Sequence, residues 1–216
     1  MTQFPTKGLG WYWLPEVKLA REYAKLYPTF KLRELEVWEW HDDGTRPFEF
    51  VEELYNKRAA MKADENGAEK ALKLALNSLY GKLAQRIGSY YDPRSGELRK
   101  PPYHCLEWAG YITSATRAKL MLGCLHKLAS VISFETDAIF VTEPIEGLDL
   151  TNRLGAWEES CYSSFTIIQS GFYWYTSDGK EGARSRGVDR PRKGEAAIPR
   201  RNALKAIRSV IRHNMA

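Results

Sequence analysis

The sequence contains few cysteines, no long apolar run and no repeated or low-complexity segment. Its three cysteines, at positions 105, 124 and 161, are odd in number and far apart, which matches neither a disulfide framework nor the ligand spacing of a zinc site. No stretch approaches the roughly 18 apolar residues of a membrane span, and the first residues lack the basic-then-apolar pattern of a signal peptide. These absences exclude disulfide-stapled, zinc-binding and membrane-spanning classes. We therefore expect a soluble protein of a reducing, cytoplasmic compartment.

The residues that are present have the composition of a folded, slightly basic protein. Of the 216 residues, 44% are hydrophobic, and the 7 Trp and 12 Tyr lead us to expect a packed core. The formal charge is +5, but the excess is uneven, because the range 184–212 holds ten Lys or Arg against two acids. Such a run is either a solvated tail or a contact for a polyanion.

Periodicity and turn residues predict an α+β chain. Helices are predicted over 15–27, 48–61, 69–86, 108–129 and 203–213. The second and third of these are joined by a short polar link, so they should form an antiparallel pair. Extended segments are predicted in an alternating strand that ends at Trp40, in two pieces around the turn DPRSG, and in two hairpins at 131–141 and 172–188.

The segment KLALNSLYGK, residues 73–82, forms two adjacent stripes on a helical wheel. One stripe is apolar and consists of Leu72, Leu76, Leu79 and Leu83. The other carries Lys73, Asn77, Tyr80 and Ala84, with Gly81 beside it. Lysine can hold a phosphate, tyrosine can pack on a base or sugar, and glycine lets another chain approach the backbone. The segment is therefore either an ordinary amphipathic helix or a nucleotide-binding one.

The preceding helix adds three cations, Lys57, Arg58 and Lys62. An antiparallel arrangement could bring one of them beside Lys73 and complete a two-pronged clamp for a triphosphate. Long basic side chains on helices usually face solvent, so each cation alone indicates little.

Two carboxylates lie at the tip of the first predicted hairpin, VISFETDAIFV. Glu135 and Asp137 flank Thr136 between two runs rich in Val, Ile and Phe. The tip is either a solvated acidic turn or a magnesium site for phosphate chemistry, since Mg²⁺ takes one or two carboxylates and completes its shell with waters and substrate phosphates.

These motifs together resemble those of family B DNA polymerases. KLALNSLYG resembles the fingers motif, in which a lysine and three residues precede Asn-Ser-x-Tyr-Gly, and SFETDAIFV resembles the palm motif that usually reads Tyr-Gly-Asp-Thr-Asp-Ser. Between them, GYITSATRAKL is similar to the palm helix that precedes the acidic hairpin. From about Trp13 onward the chain is similar to the palm and fingers of the protein-primed and viral branch.

The resemblance implies a palm with an antiparallel sheet and packed helices, and a fingers portion made of two antiparallel helices. It implies no exonuclease domain and a thumb that is minimal or absent. The expected division is a palm-side lead-in at 1–47, fingers at 48–88, palm at 89–190 with its hairpins at 131–141 and 172–188, and a basic tail or thumb start at 191–216.

The resemblance also implies a role for individual residues. Asp137 would bind the catalytic Mg²⁺ ions, and Glu135 would be its less critical catalytic neighbour, with one methylene more than the usual Asp. The residues implied to bind the incoming deoxynucleotide are Arg58, Lys73, Asn77 and Tyr80. Those implied to contact template-primer DNA are Gly81, Tyr173, Arg184, Arg186 and Gly187.

One expected element of the family has no clear match. The two-metal mechanism uses a second aspartate from an earlier strand, in a motif that ends Ser-Leu-Tyr-Pro. Leu26, Tyr27 and Pro28 match the end of that motif, and Glu22 has the right offset, but Glu22 falls in a predicted helix and close before Lys73. We interpret this as a chance match.

If the resemblance is accidental, the chain is an unrelated α+β domain; if it is real, three hypotheses remain open. The chain is the C-terminal piece of a split viral or phage polymerase whose partner subunit supplies the first palm aspartate and any exonuclease. Alternatively, it is a catalytically inactive palm and fingers module that binds DNA or nucleotide. In the third, it is active alone, and Glu22 serves as the second carboxylate.

Overall fold

The computed structural model describes residues 8–39, 41, 43–85, 87–169 and 171–185. These residues form a mixed α+β fold of four α-helices and small antiparallel sheets, as the sequence predicts. The chain divides into two compact units. Of the described residues, the helical unit takes in those from 8 to 131 together with 141–157, and the sheet unit takes in 132–140 and those from 158 to 185.

Four helices build the helical unit. They are α1 (Leu14–Leu26), α2 (Phe50–Ala63), α3 (Glu69–Leu83) and α4 (Leu106–Cys124), which continues as a 3-10 helix, Leu125–Ser130. Residues typical of helix ends are found in α1. Pro15 lies in the first turn, where its missing N–H group is not needed. Glu16 in the first turn and Lys25 in the last turn have charges that interact favourably with the helix dipole. All four predicted helices in the described residues are confirmed, with ends shifted by a few residues.

The core of the helical unit lies where α4 contacts α1 and α3. Its buried side chains are Leu19, Leu83, Ala109, Ala118, Leu120, Cys124 and Leu125. The aromatic ring of Trp13 fills the space in front of Gly110, so a side chain there would collide with it. An ion pair, Arg117 Nη2 to Glu16 Oε1 at 2.7 Å, ties α4 to the start of α1.

The strands form three separate antiparallel groups. Strands β1 (Tyr90–Tyr91) and β2 (Leu98–Arg99) pair, β3 (Val131–Glu135) pairs with β4 (Ala138–Val141), and β5 (Ser164–Gln169), β6 (Phe172–Ser177) and β7 (Lys180–Ser185) form a three-stranded sheet. The turn between β6 and β7 is Asp178-Gly179, and both residues have positive φ, as the tight hairpin turn requires.

Aromatic rings pack the sheet unit. Phe140 from β4 stacks on Phe165 from β5 with ring centroids 4.4 Å apart, and Tyr173 from β6 lies 5.2 Å from Phe140. Tyr162 and Tyr175 extend the cluster, 5.0 Å from each other. The hairpin β3–β4 is therefore held against the sheet by side-chain packing within this unit.

Some features predicted from the sequence differ from the structure or are not tested by it. The alternating strand predicted to end at Trp40 is wrong for the residues described there, because 30–39 have no strand partner and Leu35, Val37 and Trp38 are all exposed. Strand β5 was not predicted and forms by pairing with β6. The predicted helix at 203–213 lies outside the described residues. The domain boundaries drawn from the resemblance stay predictions.

Candidate functional site

Helix α3 presents the polar stripe that the sequence predicts. Lys73, Asn77, Tyr80 and Gly81 are all exposed, whereas Leu72, Leu76 and Leu79 are half-buried and Leu83 is buried. The leucine stripe is covered because α3 packs against α2 and α4. A cation, an amide and a phenol ring therefore follow one another along about two turns of one helix face that is open to solvent.

Gly81 lies beside this stripe, and no group of the described residues, apart from its own helix backbone and chain neighbours, lies within 4 Å of the position that a Cβ atom would take. The backbone at Gly81 is therefore open to close approach by another molecule. Tyr80 is 45% exposed, so a large part of its ring is available to pack on a flat partner.

Arg58 on α2 is engaged with Glu69 at the start of α3. Its Nη2 lies 2.7 Å and its Nε 2.8 Å from Glu69 Oε1, and both side chains are mostly buried. This pair joins the two helices at the five-residue link between them. To contact a phosphate, Arg58 would have to exchange Glu69 for it, whereas its neighbour Lys57 is exposed.

The loop between β3 and β4 has two residues, Thr136 and Asp137. Thr136 has φ of +57°, an uncommon value for a β-branched residue. Asp137 is exposed and makes no side-chain hydrogen bond or ion pair within the described part of the chain. The turn therefore presents the Asp137 carboxylate to solvent, and strained backbone of this kind is often found at functional sites.

Glu135, two residues earlier, faces the interior instead. It is 7% exposed, and its Oε2 accepts a hydrogen bond of 2.8 Å from the Gly171 N–H, while its Oε1 accepts one of 3.1 Å from the Ser133 hydroxyl. The two acids of the hairpin thus have opposite environments. The sequence suggests that the two acids lie together, whereas in the structure Glu135 is buried against Gly171 and Asp137 is exposed.

Tyr173 lies in the same unit, in the aromatic cluster, and its Cα pairs with that of Arg184 across β6 and β7. Burial raises the pKa of the Tyr173 phenol, the Arg184 charge opposes this rise, and the Tyr162 phenol and the Glu135 carboxylate add to it. The phenol is therefore neutral at physiological pH, able to donate a hydrogen bond. Arg184 is exposed, whereas Arg186 and Gly187 lie outside the described residues.

The acidic side chains fit a magnesium ion only in part. Among the described residues, no group of three or more His, Cys, Asp or Glu side chains could hold a metal ion. Asp137 offers one exposed carboxylate, which suits an ion that takes its other ligands from waters and phosphates. A two-metal site needs at least one carboxylate more than this part of the chain provides.

Glu22 does not supply that carboxylate in strand geometry. It lies on helix α1, is exposed and forms an ion pair with Lys25, Oε1 to Nζ at 2.6 Å. The interpretation of its surrounding Leu-Tyr-Pro sequence as a chance match agrees with this helical position.

The site residues belong to two units, each with its own arrangement. Arg58, Lys73, Asn77, Tyr80 and Gly81 lie in the helical unit, and Glu135, Asp137, Tyr173 and Arg184 lie in the sheet unit. No helix in the described ranges is both long and apolar enough to cross a bilayer.

The chain is similar to a viral DNA polymerase. It is 25% identical over 160 residues to a DNA polymerase of Acidianus bottle-shaped virus (isolate Italy/Pozzuoli). The matched residues cover 74% of this chain but 21% of the viral protein, so the chain spans about a fifth of its relative's length. No protein-family profile and no solved structure matches the chain. The similarity supports a relationship to DNA polymerases.

Proposed function

We propose that the chain is a component of a DNA-directed DNA polymerase of family B, carrying palm and fingers and acting in template-directed nucleotidyl transfer. The observation that carries the proposal is the exposed stripe of α3, where Lys73, Asn77 and Tyr80 stand on the face that the helix leaves open. The similarity to a viral DNA polymerase, which covers 74% of the chain, supports it independently.

In the proposed reaction, the primer 3′-hydroxyl attacks the α-phosphate of a deoxynucleoside triphosphate and pyrophosphate leaves. Lys73 neutralises charge on the triphosphate as a point cation, and Asn77 donates a hydrogen bond to a phosphate oxygen. Tyr80 packs against the base or sugar of the nucleotide. These residues position the triphosphate and stabilise its charge, which supply most of the catalysis in phosphoryl transfer.

Asp137 is the proposed ligand of Mg²⁺. When bound, Mg²⁺ polarises the phosphoryl oxygens and lowers the pKa of the attacking hydroxyl. The exposed Asp137 carboxylate suits one Mg²⁺ ion, which takes its other ligands from waters and phosphates. A two-metal site needs a second carboxylate, which has to come from outside the described residues.

We propose that a complementary polymerase segment supplies this carboxylate, as a separate subunit or as further chain. The viral relative is almost five times as long as the matched part. Large apolar side chains between Leu9 and Trp38 are well exposed, with Trp11 and Trp38 in edge contact at 5.6 Å. An exposed apolar set of this size is expected at a surface that another polypeptide covers.

Template-primer DNA is the other proposed partner, contacted by Gly81, Tyr173 and Arg184 through backbone phosphates.

The direct test is primer extension with template-primer DNA, dNTPs and Mg²⁺. The chain is assayed alone and with the proteins that co-purify with it from its native source, and Asp137→Asn is assayed in parallel. The proposal predicts extension that requires the complement and is lost in the variant. Extension by the chain alone would mean that the second carboxylate belongs to this chain.

A second candidate is a module that binds DNA or nucleotide without chemistry. It is favoured by the engagement of two of the proposed site residues, Arg58 with Glu69 and Glu135 with Gly171. This candidate predicts salt-sensitive DNA binding that survives Asp137→Asn, and no extension with any complement.

A further inference from the structure

The buried carboxylate of Glu135 connects two turns of the sheet unit. Glu135 ends β3 and stands immediately before the loop that carries Asp137. Its Oε2 accepts the N–H of Gly171, which lies between β5 and β6, at 2.8 Å, and the Ser133 hydroxyl donates to its Oε1 at 3.1 Å. Both oxygens therefore have hydrogen-bond donors from the protein itself.

A carboxylate that is 93% buried is costly unless its charge is satisfied by such donors. The two donors therefore explain why a carboxylate is stable at this buried position without a metal ion. A metal ion could reach these oxygens only by entering a site that is almost closed to solvent, and it would compete there with the Gly171 N–H and the Ser133 hydroxyl.

The length of glutamate is what lets the contact form. An aspartate at this position would end about 1.5 Å short, the length of one C–C bond, so its carboxylate would not reach Gly171 from the same backbone. The other partner, Gly171, also suits its position, because it is buried and has φ of +76°, a conformation that favours glycine.

We propose that Glu135 is a positioning residue that fixes the Asp137 loop to the β5–β6 connection and does not bind the metal ion. Since Gly171 directly precedes β6, the same contact fixes the loop relative to the strand that carries Tyr173. That this positioning supports nucleotidyl transfer rests on the proposed function, whereas the contact between Glu135 and Gly171 does not.

Three substitutions separate positioning from metal binding. Glu135→Gln keeps the length and one acceptor oxygen, and its amide can donate to the Ser133 hydroxyl. Glu135→Asp keeps the charge but loses the reach, and Glu135→Ala loses both. A positioning residue therefore tolerates Gln better than Asp, while a metal ligand tolerates Asp better than Gln, because an amide is the weaker ligand for Mg²⁺.

The first readout is hydrogen exchange of the Gly171 amide in the chain alone, without metal, DNA or complement. We expect exchange about tenfold faster in Glu135→Asp and Glu135→Ala than in the unsubstituted chain, from loss of one charge-assisted hydrogen bond, and little change in Glu135→Gln. Glu181→Ala is the matched control, because it removes an exposed glutamate of the same unit. Unchanged Gly171 exchange in Glu135→Asp and Glu135→Ala would overturn the proposal.

The second readout is Mn²⁺ binding, followed by line broadening of nearby resonances. We expect Glu135→Gln to bind Mn²⁺ within about twofold of the unsubstituted chain and Asp137→Asn to lose binding. Equal loss in both variants would make Glu135 a ligand and overturn the proposal. If Asp137→Asn leaves Mn²⁺ binding intact while Gly171 exchange follows the expected order, the positioning contact is supported and the metal site of the proposed function fails.

Discussion

Helix α3 and the β3–β4 hairpin each carry proposed site residues, one in each unit, and they differ in how they present those residues. On α3, position along the sequence decides exposure: the leucines at one side are covered, and Lys73, Asn77 and Tyr80 beside them are open to solvent. At the hairpin, Glu135 and Asp137 are two residues apart and would share a face in a regular strand, yet Glu135 is buried and Asp137 is exposed.

A helix and a turn therefore determine the exposure of site residues in different ways. A helix fixes the direction of every side chain by its 3.6-residue period, so sequence alone is sufficient once the helix packs on one side. A two-residue turn leaves the regular alternation of the strand, and here Glu135 faces inward, where it accepts a hydrogen bond from a distant backbone N–H, that of Gly171. The following changes act on one or the other arrangement.

The largest expected effect is that of Asp137→Asn in the complete polymerase assembly. Loss of the carboxylate should lower primer extension about a thousandfold, because charge stabilisation by a bound metal is worth several kcal/mol. The thermal midpoint of the chain should stay unchanged, since Asp137 is exposed. Primer extension and thermal melting check the two parts, and retained extension would remove Asp137 from the site.

The leucine stripe of α3 should control stability rather than binding. Leu83→Ala empties a buried position and should lower the free energy of unfolding by about 2–4 kcal/mol. Leu74→Ala on the same helix is the matched control, because Leu74 is 72% exposed, and it should change that free energy by less than about 0.5 kcal/mol. Urea denaturation measures both. A similar loss in the two variants would contradict the assignment of the packed face.

Gly171→Ala strains the contact that separates the two acids of the hairpin. A side chain at φ of +76° should cost about 1–2 kcal/mol of stability. The control is Gly67→Ala, since Gly67 has no positive φ and open space around it. Denaturant unfolding of the two variants gives the comparison. Equal stability would mean that the turn adapts without Gly171.

The smallest effect is expected for Glu69→Gln, which weakens the ion pair of Arg58. The chain should lose about 1 kcal/mol of stability, because Arg58 keeps a hydrogen-bond acceptor but loses the charge. If Arg58 belongs to the triphosphate clamp, its release should tighten dNTP binding by about twofold. Urea denaturation measures the stability, and fluorescence titration with a labelled dNTP measures the binding. Unchanged or weaker binding would assign Arg58 to the α2–α3 joint alone.

Sequence was sufficient where local signals and packing agree. The positions of α1 to α4, to within a few residues at their ends, the two faces of α3 and the Asp178-Gly179 turn follow from periodicity and turn residues. It was insufficient where a partner strand or a distant group decides. The alternation that ends near Trp40 has no strand to pair with among the described residues, and β5 depends on β6.

The candidate site divides in the same way. The exposure of Lys73 and Asn77 could be predicted, whereas the ion pair of Arg58 and the burial of Glu135 could not, since each depends on a residue that lies 11 or 36 positions away. A single sequence carries no signal for such pairings. The extra methylene of Glu135 was visible, but its use became clear only with Gly171 in place.

We propose that the exposed face of α3 binds a nucleotide, and two lysines of that helix allow a matched comparison. Lys73 and Lys82 are both exposed and lie on opposite sides of α3. Binding of a fluorescent dNTP in Mg²⁺ is measured by anisotropy for Lys73→Ala and Lys82→Ala. The account predicts about tenfold weaker binding for Lys73→Ala, from loss of one charged phosphate contact, and a change within about twofold for Lys82→Ala. Equal effects of the two substitutions, or no dNTP binding by the unsubstituted chain, would contradict it.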